Sequence, residues 1–173
     1  MAAAPQGAAA NLFWGAPMKI TLLAVGSKMP RWVDDAFGDY AKRFGRDIQF
    51  ELKEIKPEKR GGGVTAEKGI AAEHERIVAA IPPRSKLVIL DERGKNWTSV
   101  QLAGAMKDWM AGGDDICIVI GGADGLSQAL KARADIMLQL SAMTLPHGMV
   151  RVLLAEQLYR AYSILNNHPY HRE

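Results

Sequence analysis

The run Ile116–Gly125, ICIVIGGADG, sets five apolar residues directly against two glycines. An apolar run without polar alternation is what a parallel strand covered on both faces requires. Glycines just beyond such a strand let the backbone turn tightly and bring its amides close to a ligand. A strand covered on both faces needs helices above and below it, so strands and helices should alternate around it.

They do. Lys19–Val25 is apolar and bounded by Gly26, which reads as a strand. Val33, Ala36, Phe37, Tyr40, Ala41 and Phe44 recur at helical spacing and predict a helix over Arg31–Phe44. Ile48, Phe50, Leu52 and Ile55 are spaced like a strand with one exposed face. Lys56–Thr65, KPEKRGGGVT, has turn chemistry and basic groups and reads as a loop. Ala66–Ala80 reads as a helix stopped by Pro82-Pro83, and Lys86–Leu90 as a short buried strand. Ser99–Met110 reads as a helix capped by Thr98 or Ser99 and ended by Gly112-Gly113. Beyond the glycine run come a helix over Ser127–Ala134, a short strand over Ile136–Leu140 and a long helix over Met149–Leu165. Val150, Leu153, Leu154, Leu158, Ala161, Tyr162 and Leu165 form one stripe of that helix, a candidate for core or subunit interface. Its charges, Arg151, Glu156 and Arg160, read as surface. The order predicts an α/β sandwich with a mostly parallel sheet.

With 173 residues, 48% of them apolar and 24% charged, the chain is composed like one ordinary globular domain. A net charge of +3 is compatible with an RNA partner without specifying one. Cys117 is the single cysteine, which excludes an internal disulfide and fits a reducing cytoplasm; its place in ICIVI predicts a buried thiol. One cysteine and these histidine spacings assemble no four-ligand metal site, so no metal is expected. No run approaches the roughly 18 apolar residues of a membrane span. Residues 1–17, MAAAPQGAAANLFWGAP, lack the basic region and long apolar core of a secretory signal. They are expected to be an unstructured extension ahead of a single domain over 18–173, with Met18 as the expected start.

In open α/β sheets, ligands sit outside the carboxyl ends of the strands. Three such ends are prepared: Leu90–Gly94 (LDERG), Gly121–Gly125 (GGADG) and Leu140–His147 (LSAMTLPH). GGADG is not GxGxxG and no GK[ST] follows it, so dinucleotide and P-loop readings fail. A tight turn with no ligand remains an equal reading of it. Asp91 and Glu92 are adjacent on a strand and point to opposite faces, so they are no acid/base pair. His74 reads as solvated, and Trp97 and Trp109 as packing residues. SAMTLPHG is apolar enough to need a cover, which a cofactor, a partner chain or both could supply. The tail, with Asn166, Asn167, His168, Tyr170, His171 and Arg172, is either a polar terminus or part of a site.

Four segments carry a resemblance: MKITLLAVGSKMPRWV (18–33), VILDERGK (88–95), VIGGADGLS (119–127) and LSAMTLPHGMVRVLLAEQLYRAYSILNNHPYHRE (140–173). Through them the chain from Met18 onward resembles the RlmH family of SPOUT-class 23S rRNA methyltransferases. The resemblance implies an α/β fold with a C-terminal trefoil knot that holds S-adenosylmethionine as methyl donor. Carried over by position, the cofactor residues are Leu90, Gly121, Leu140, Ser141, Ala142, Met143, Thr144 and Leu145. The implied reaction methylates N3 of a pseudouridine in 23S rRNA on the assembled 70S ribosome. It implies a homodimer whose second subunit completes the site. The chemistry needs alignment, removal of the imide proton and stabilisation of the negative charge left behind. His147 is the candidate base by its pKa range, with orientation of its loop as the competing role. Arg172 is the candidate for the anionic oxygen, and Tyr170 and His171 for stacking or hydrogen bonding to the base. Lys28, Arg31, Lys42, Arg43, Arg46, Lys56, Lys59 and Arg60 are candidate phosphate contacts. The chain departs from the family at Ala123-Asp124, at Gly148, expected to loosen its turn, and in residues 1–17. The rival readings are a ribosome-binding factor without cofactor, a nucleotide hydrolase lacking the phosphate-cradling lysine, and a SPOUT enzyme acting on another RNA such as tRNA.

Overall fold

The computed structural model describes residues 16–172. The expected extension lies outside the described residues through position 15. Five strands, β1 (Met18–Val25), β2 (Ile48–Ile55), β3 (Ser85–Asn96), β4 (Asp115–Ile120) and β5 (Ile136–Gln139), form one sheet in the order β2-β1-β4-β3-β5. Every pairing is parallel. Helices α1 (Arg31–Ala41), α2 (Ala66–Ala80), α3 (Ser99–Gly112), α4 (Gln128–Ala132) and α5 (His147–Leu165) alternate with the strands, and a 3-10 turn covers Pro169–Arg172.

The run ICIVI is the central strand, and its alternation divides the core. Ile116, Ile118 and Ile120 pack with Phe37, Leu102, Met106, Leu154 and Leu158 beneath α1, α3 and α5. Cys117 and Val119 face the other way, with Ile77 of α2 and Leu130 of α4. Burial pushes the Cys117 thiol up to about 12, so it is a packed, unreactive group. Trp109 is buried and Trp97 packs partly buried in the first cluster, as the sequence predicted.

Local signals set the helix ends. The Thr65 side chain accepts from the Lys68 N–H and starts α2. Thr98 and Gln101 form a reciprocal capping box for α3, and Gly113, at φ 71°, ends it in the left-handed region. Ser127 caps α4. Helix α1 stops at Ala41, short of the expected Phe44.

Strand β3 is the largest departure from the sequence reading. It runs to Asn96, whereas the sequence read a strand only to Leu90. Leu90 and Lys95 both pair with Leu138, so Asp91–Gly94 bulges out and the strand then returns to β5. The return needs Gly94. A Cβ there would lie 2.5 Å from the Leu138 carbonyl carbon and 2.7 Å from the Gln139 nitrogen.

Helix α5 begins at His147, two residues before the predicted Met149, directly after Pro146. Leu154, Leu158 and Ala161 of the predicted stripe are buried, and Val150, Tyr162 and Leu165 pack partly buried beside them. Arg151 overturns its surface assignment, because it is fully buried. Gly148 does not loosen its turn. A Cβ at that position would lie 2.9 Å from Val33 Cγ2, so glycine lets α5 pack tightly on α1.

Candidate active site

The carboxyl ends of β1, β3, β4 and β5 open on one cleft of about 1090 Å³. All the sequence-predicted cofactor residues line it: Leu90, Gly121, Leu140, Ser141, Ala142, Met143, Thr144 and Leu145. The three prepared strand ends are therefore brought together. Gly121 has no room for a side chain, since its Cβ would lie 2.9 Å from Leu126 Cγ. The Gly125 N–H donates to the Gly122 carbonyl at 3.0 Å and closes the turn, with Gly125 at φ 80°. In the third loop the Met143 N–H donates to Ser141 Oγ at 2.9 Å, and Met143 is 78% exposed.

Ion pairs pin the rims. Lys131 on α4 holds Asp91 of the β3 bulge at 2.7 Å. Burial pushes the Asp91 carboxyl up, but Lys131 and the Arg93 N–H outweigh it and leave it below the usual carboxylate range. Arg60, from the loop after β2, reaches Asp124 of the glycine turn at 2.7 Å. The sequence could not reveal this second pair, because its members lie in two loops that only the sheet order brings side by side.

His147 stands in the first turn of α5, not in a loop, and lines the cleft. Its Nε2 is buried without a hydrogen-bond partner. Burial first, and the nearby Arg151 charge second, hold its pKa below the ordinary value of 6.5; the Gly121 backbone and Glu54 oppose them. The imidazole is therefore neutral at pH 7 and able to accept a proton. The folded form binds its proton more weakly than the unfolded chain does. Its contribution to stability should therefore fall as pH drops below 6.5 and level off above it. An NMR titration should find its midpoint below 6.5; a midpoint above it would reverse the sign.

Arg151 lies one turn further along α5. Its Nη1 donates to Glu54 of β2 at 2.7 Å, and its Nη2 donates to the Gly26 carbonyl at 3.2 Å. It ties the last helix to the ends of β1 and β2 close to His147. The sequence reading places it on the surface, although an arginine inside an apolar stripe is a signal for a buried ion pair.

The tail candidates lie elsewhere in the chain. Asn167, at φ 51°, reverses the chain after α5. Tyr170 then packs edge-on against Tyr159 at 4.9 Å. Its hydroxyl donates to Glu156 Oε1 at 3.0 Å, and Arg160 stacks on its ring at 5.1 Å. Burial, with Tyr40 and Glu156 as partners, raises its phenol above the usual range. Tyr170, His171 and Arg172 do not line the cleft, and Arg172 donates to Asn167 at 3.1 Å. His74, read as solvated, instead bonds Ser127 Oγ at 2.7 Å and ties α2 to the cap of α4. Among the candidate phosphate contacts, Arg31 pairs with Asp35, Lys42 and Arg43 with Asp39, and Arg60 with Asp124. Among the described residues, no cluster of His, Cys, Asp and Glu suits a metal, and no helix is long and apolar enough to cross a membrane.

A parallel α/β sheet with a glycine turn, an apolar third loop and a first-turn histidine on one cleft forms a ligand-sized site at the carboxyl ends of the strands. Residues 18–171 match the family described as "Predicted SPOUT methyltransferase", and the chain belongs to that family. Within it, the chain is 81% identical over 156 residues to ribosomal RNA large subunit methyltransferase H of Chromobacterium violaceum, covering 90% of this chain and all (100%) of that one. The protein of the same name from Laribacter hongkongensis is 78% identical, and that of Neisseria meningitidis serogroup C 66%, each over 156 residues and with the same coverage. A solved structure titled as a probable methylase family protein from Haemophilus influenzae shares the fold. It has a TM-score of 0.53 at 17% identity and covers 91% of this chain and 69% of that one.

Proposed function

We propose that the chain methylates N3 of a pseudouridine in 23S rRNA on the assembled 70S ribosome, in the cytoplasm, using S-adenosylmethionine. The observation that carries this reading is 81% identity across the whole length of a relative named ribosomal RNA large subunit methyltransferase H. The cleft fits the donor. Leu90, Leu140 and Leu145 supply apolar walls for an adenine, and the glycine turn offers backbone where a Cβ would collide. Leu90, Gly121 and Leu140–Leu145 would hold the cofactor. When bound, S-adenosylmethionine supplies an already electrophilic methyl carbon, so the reaction needs no metal.

The chain's own residues must orient the base and take its imide proton. His147 lines the cleft and is neutral at working pH, which suits a proton acceptor. Tyr170 and His171 would meet the base, and Arg172 its anionic oxygen. Their distance from their own cleft supports a homodimer in which one tail serves the other subunit's site. Trp32 on α1 and Val100 on α3 are 51% and 69% exposed on the helices flanking α5, apolar surface that a second copy would cover.

The test is transfer of tritium from labelled S-adenosylmethionine to 70S ribosomes lacking this methylation, with 50S subunits and bulk tRNA as controls. Stoichiometric labelling at one pseudouridine of 70S particles is expected. Labelling of tRNA instead would move the reading to another RNA, and no labelling of any RNA would remove the enzyme assignment. Unchanged single-turnover methylation by His147→Ala would remove His147 as the base.

A further inference from the structure

We propose that Glu73 is the anionic anchor for the cationic methionyl end of the methyl donor. The inference rests on the cleft being the S-adenosylmethionine site. Glu73 is on α2, 4% exposed, and is the only buried carboxylate residue among those described. It lines the cleft. Its Oε1 accepts one hydrogen bond, from the Glu58 N–H at 2.9 Å.

Burying a carboxylate is costly unless a cation or several hydrogen bonds compensate it. The other cleft carboxylates have cations: Glu58 has Arg76, Asp91 has Lys131, Asp124 has Arg60, and Glu92 has Arg93. Glu73 pairs with none of the described residues. The cleft's own cations, Arg60 and Lys131, are already committed to Asp124 and Asp91.

The carboxylate faces the glycine turn at a position that carries no side chain. A Cβ on Gly122 would lie 3.1 Å from Glu73 Oε2 and 3.6 Å from Oε1. A buried, singly bonded carboxylate beside a bare backbone turn is a site for a cation brought by the ligand. S-adenosylmethionine brings two such charges, a sulfonium and an α-ammonium, on the same end.

The experiment is calorimetric titration of the full chain with S-adenosylmethionine and with S-adenosylhomocysteine, which keeps the ammonium but lacks the sulfonium. Glu73→Gln keeps an oxygen for the Glu58 N–H and removes the charge. It should weaken S-adenosylmethionine binding about 10–100-fold, the range of a charge-assisted hydrogen bond. Unchanged affinity for S-adenosylhomocysteine would identify the sulfonium as the partner, and an equal loss the ammonium. Glu73→Asp keeps the charge on a shorter arm and should bind more tightly than Glu73→Gln; the reverse order would overturn the proposal. Wild-type affinity in Glu73→Gln for both ligands would also overturn it and leave Glu73 as a brace for the loop after β2. A wild-type chain that binds neither ligand would overturn the cofactor reading itself, and this inference with it.

Discussion

Replacing Arg151 by methionine should cost about 3 kcal/mol of stability, the lower end of the range for removing one member of a buried ion pair. The arginine is fully buried and carries bonds from α5 to both Glu54 and the Gly26 carbonyl. Methionine fills much of its volume but supplies neither donor. Glu54 sets the size of the loss. Its side chain is 39% exposed, so water can partly rehydrate the stranded carboxylate. Glu54→Gln should therefore be milder than Arg151→Met. Arg151→Lys should fall between them, since one ammonium cannot span both acceptors with a guanidinium's fork. Urea unfolding of the three variants measures the order, and a loss under about 1 kcal/mol in Arg151→Met would show the pair to be no more than a surface bridge. The same substitution removes the positive charge beside His147, so the His147 midpoint should move back toward 6.5.

Gly94→Ala should be at least as damaging. Inserting atoms into a packed interior costs about 1–3 kcal/mol when side chains can give way. Here the added Cβ meets Leu138 and Gln139 backbone atoms at 2.5 to 2.7 Å, and backbone in a paired strand cannot rotate aside. Relief requires β5 to part from β3 beyond the bulge. Strand β5 leads straight into Leu140–Leu145, the proposed cofactor loop, so binding of S-adenosylmethionine is expected to weaken along with stability. Gly104→Ala on α3 is the control. Nothing lies within 4 Å of its Cβ position, and alanine there should stabilise the helix by about 0.5–1 kcal/mol. Equal stability of Gly94→Ala and wild type in urea would mean that β3 and β5 can separate at little cost.

Much of the architecture was legible because it rests on local rules. Helix α2 has the bounds its residues predicted, since Thr65 caps it and Pro82-Pro83 lies just beyond it. The three cleft loops were legible because they follow the carboxyl ends of strands, where open α/β sheets form their clefts. The β3 extension was not. Asp91–Gly94 carries turn chemistry, and Lys95 and Asn96 are strand residues only because they pair with β5. The sequence reading begins the last helix at Met149 and leaves His147 in the loop before it, whereas proline fits comfortably just ahead of a helix that starts at His147.

The sequence by itself determined the alternation of strands and helices, the doubly covered central strand and the identity of the cleft-lining loops. Each arises from the period of apolar residues or from glycine's freedom, which act over a few neighbours. Only the tertiary structure decided that Arg151 is buried, that Glu73 lacks a cation among the described residues, that Arg60 reaches Asp124, and that the tail lies away from its own cleft. Those facts depend on which elements become neighbours across the β2-β1-β4-β3-β5 order. A charge's environment is set by groups distant in sequence, and no local pattern encodes it.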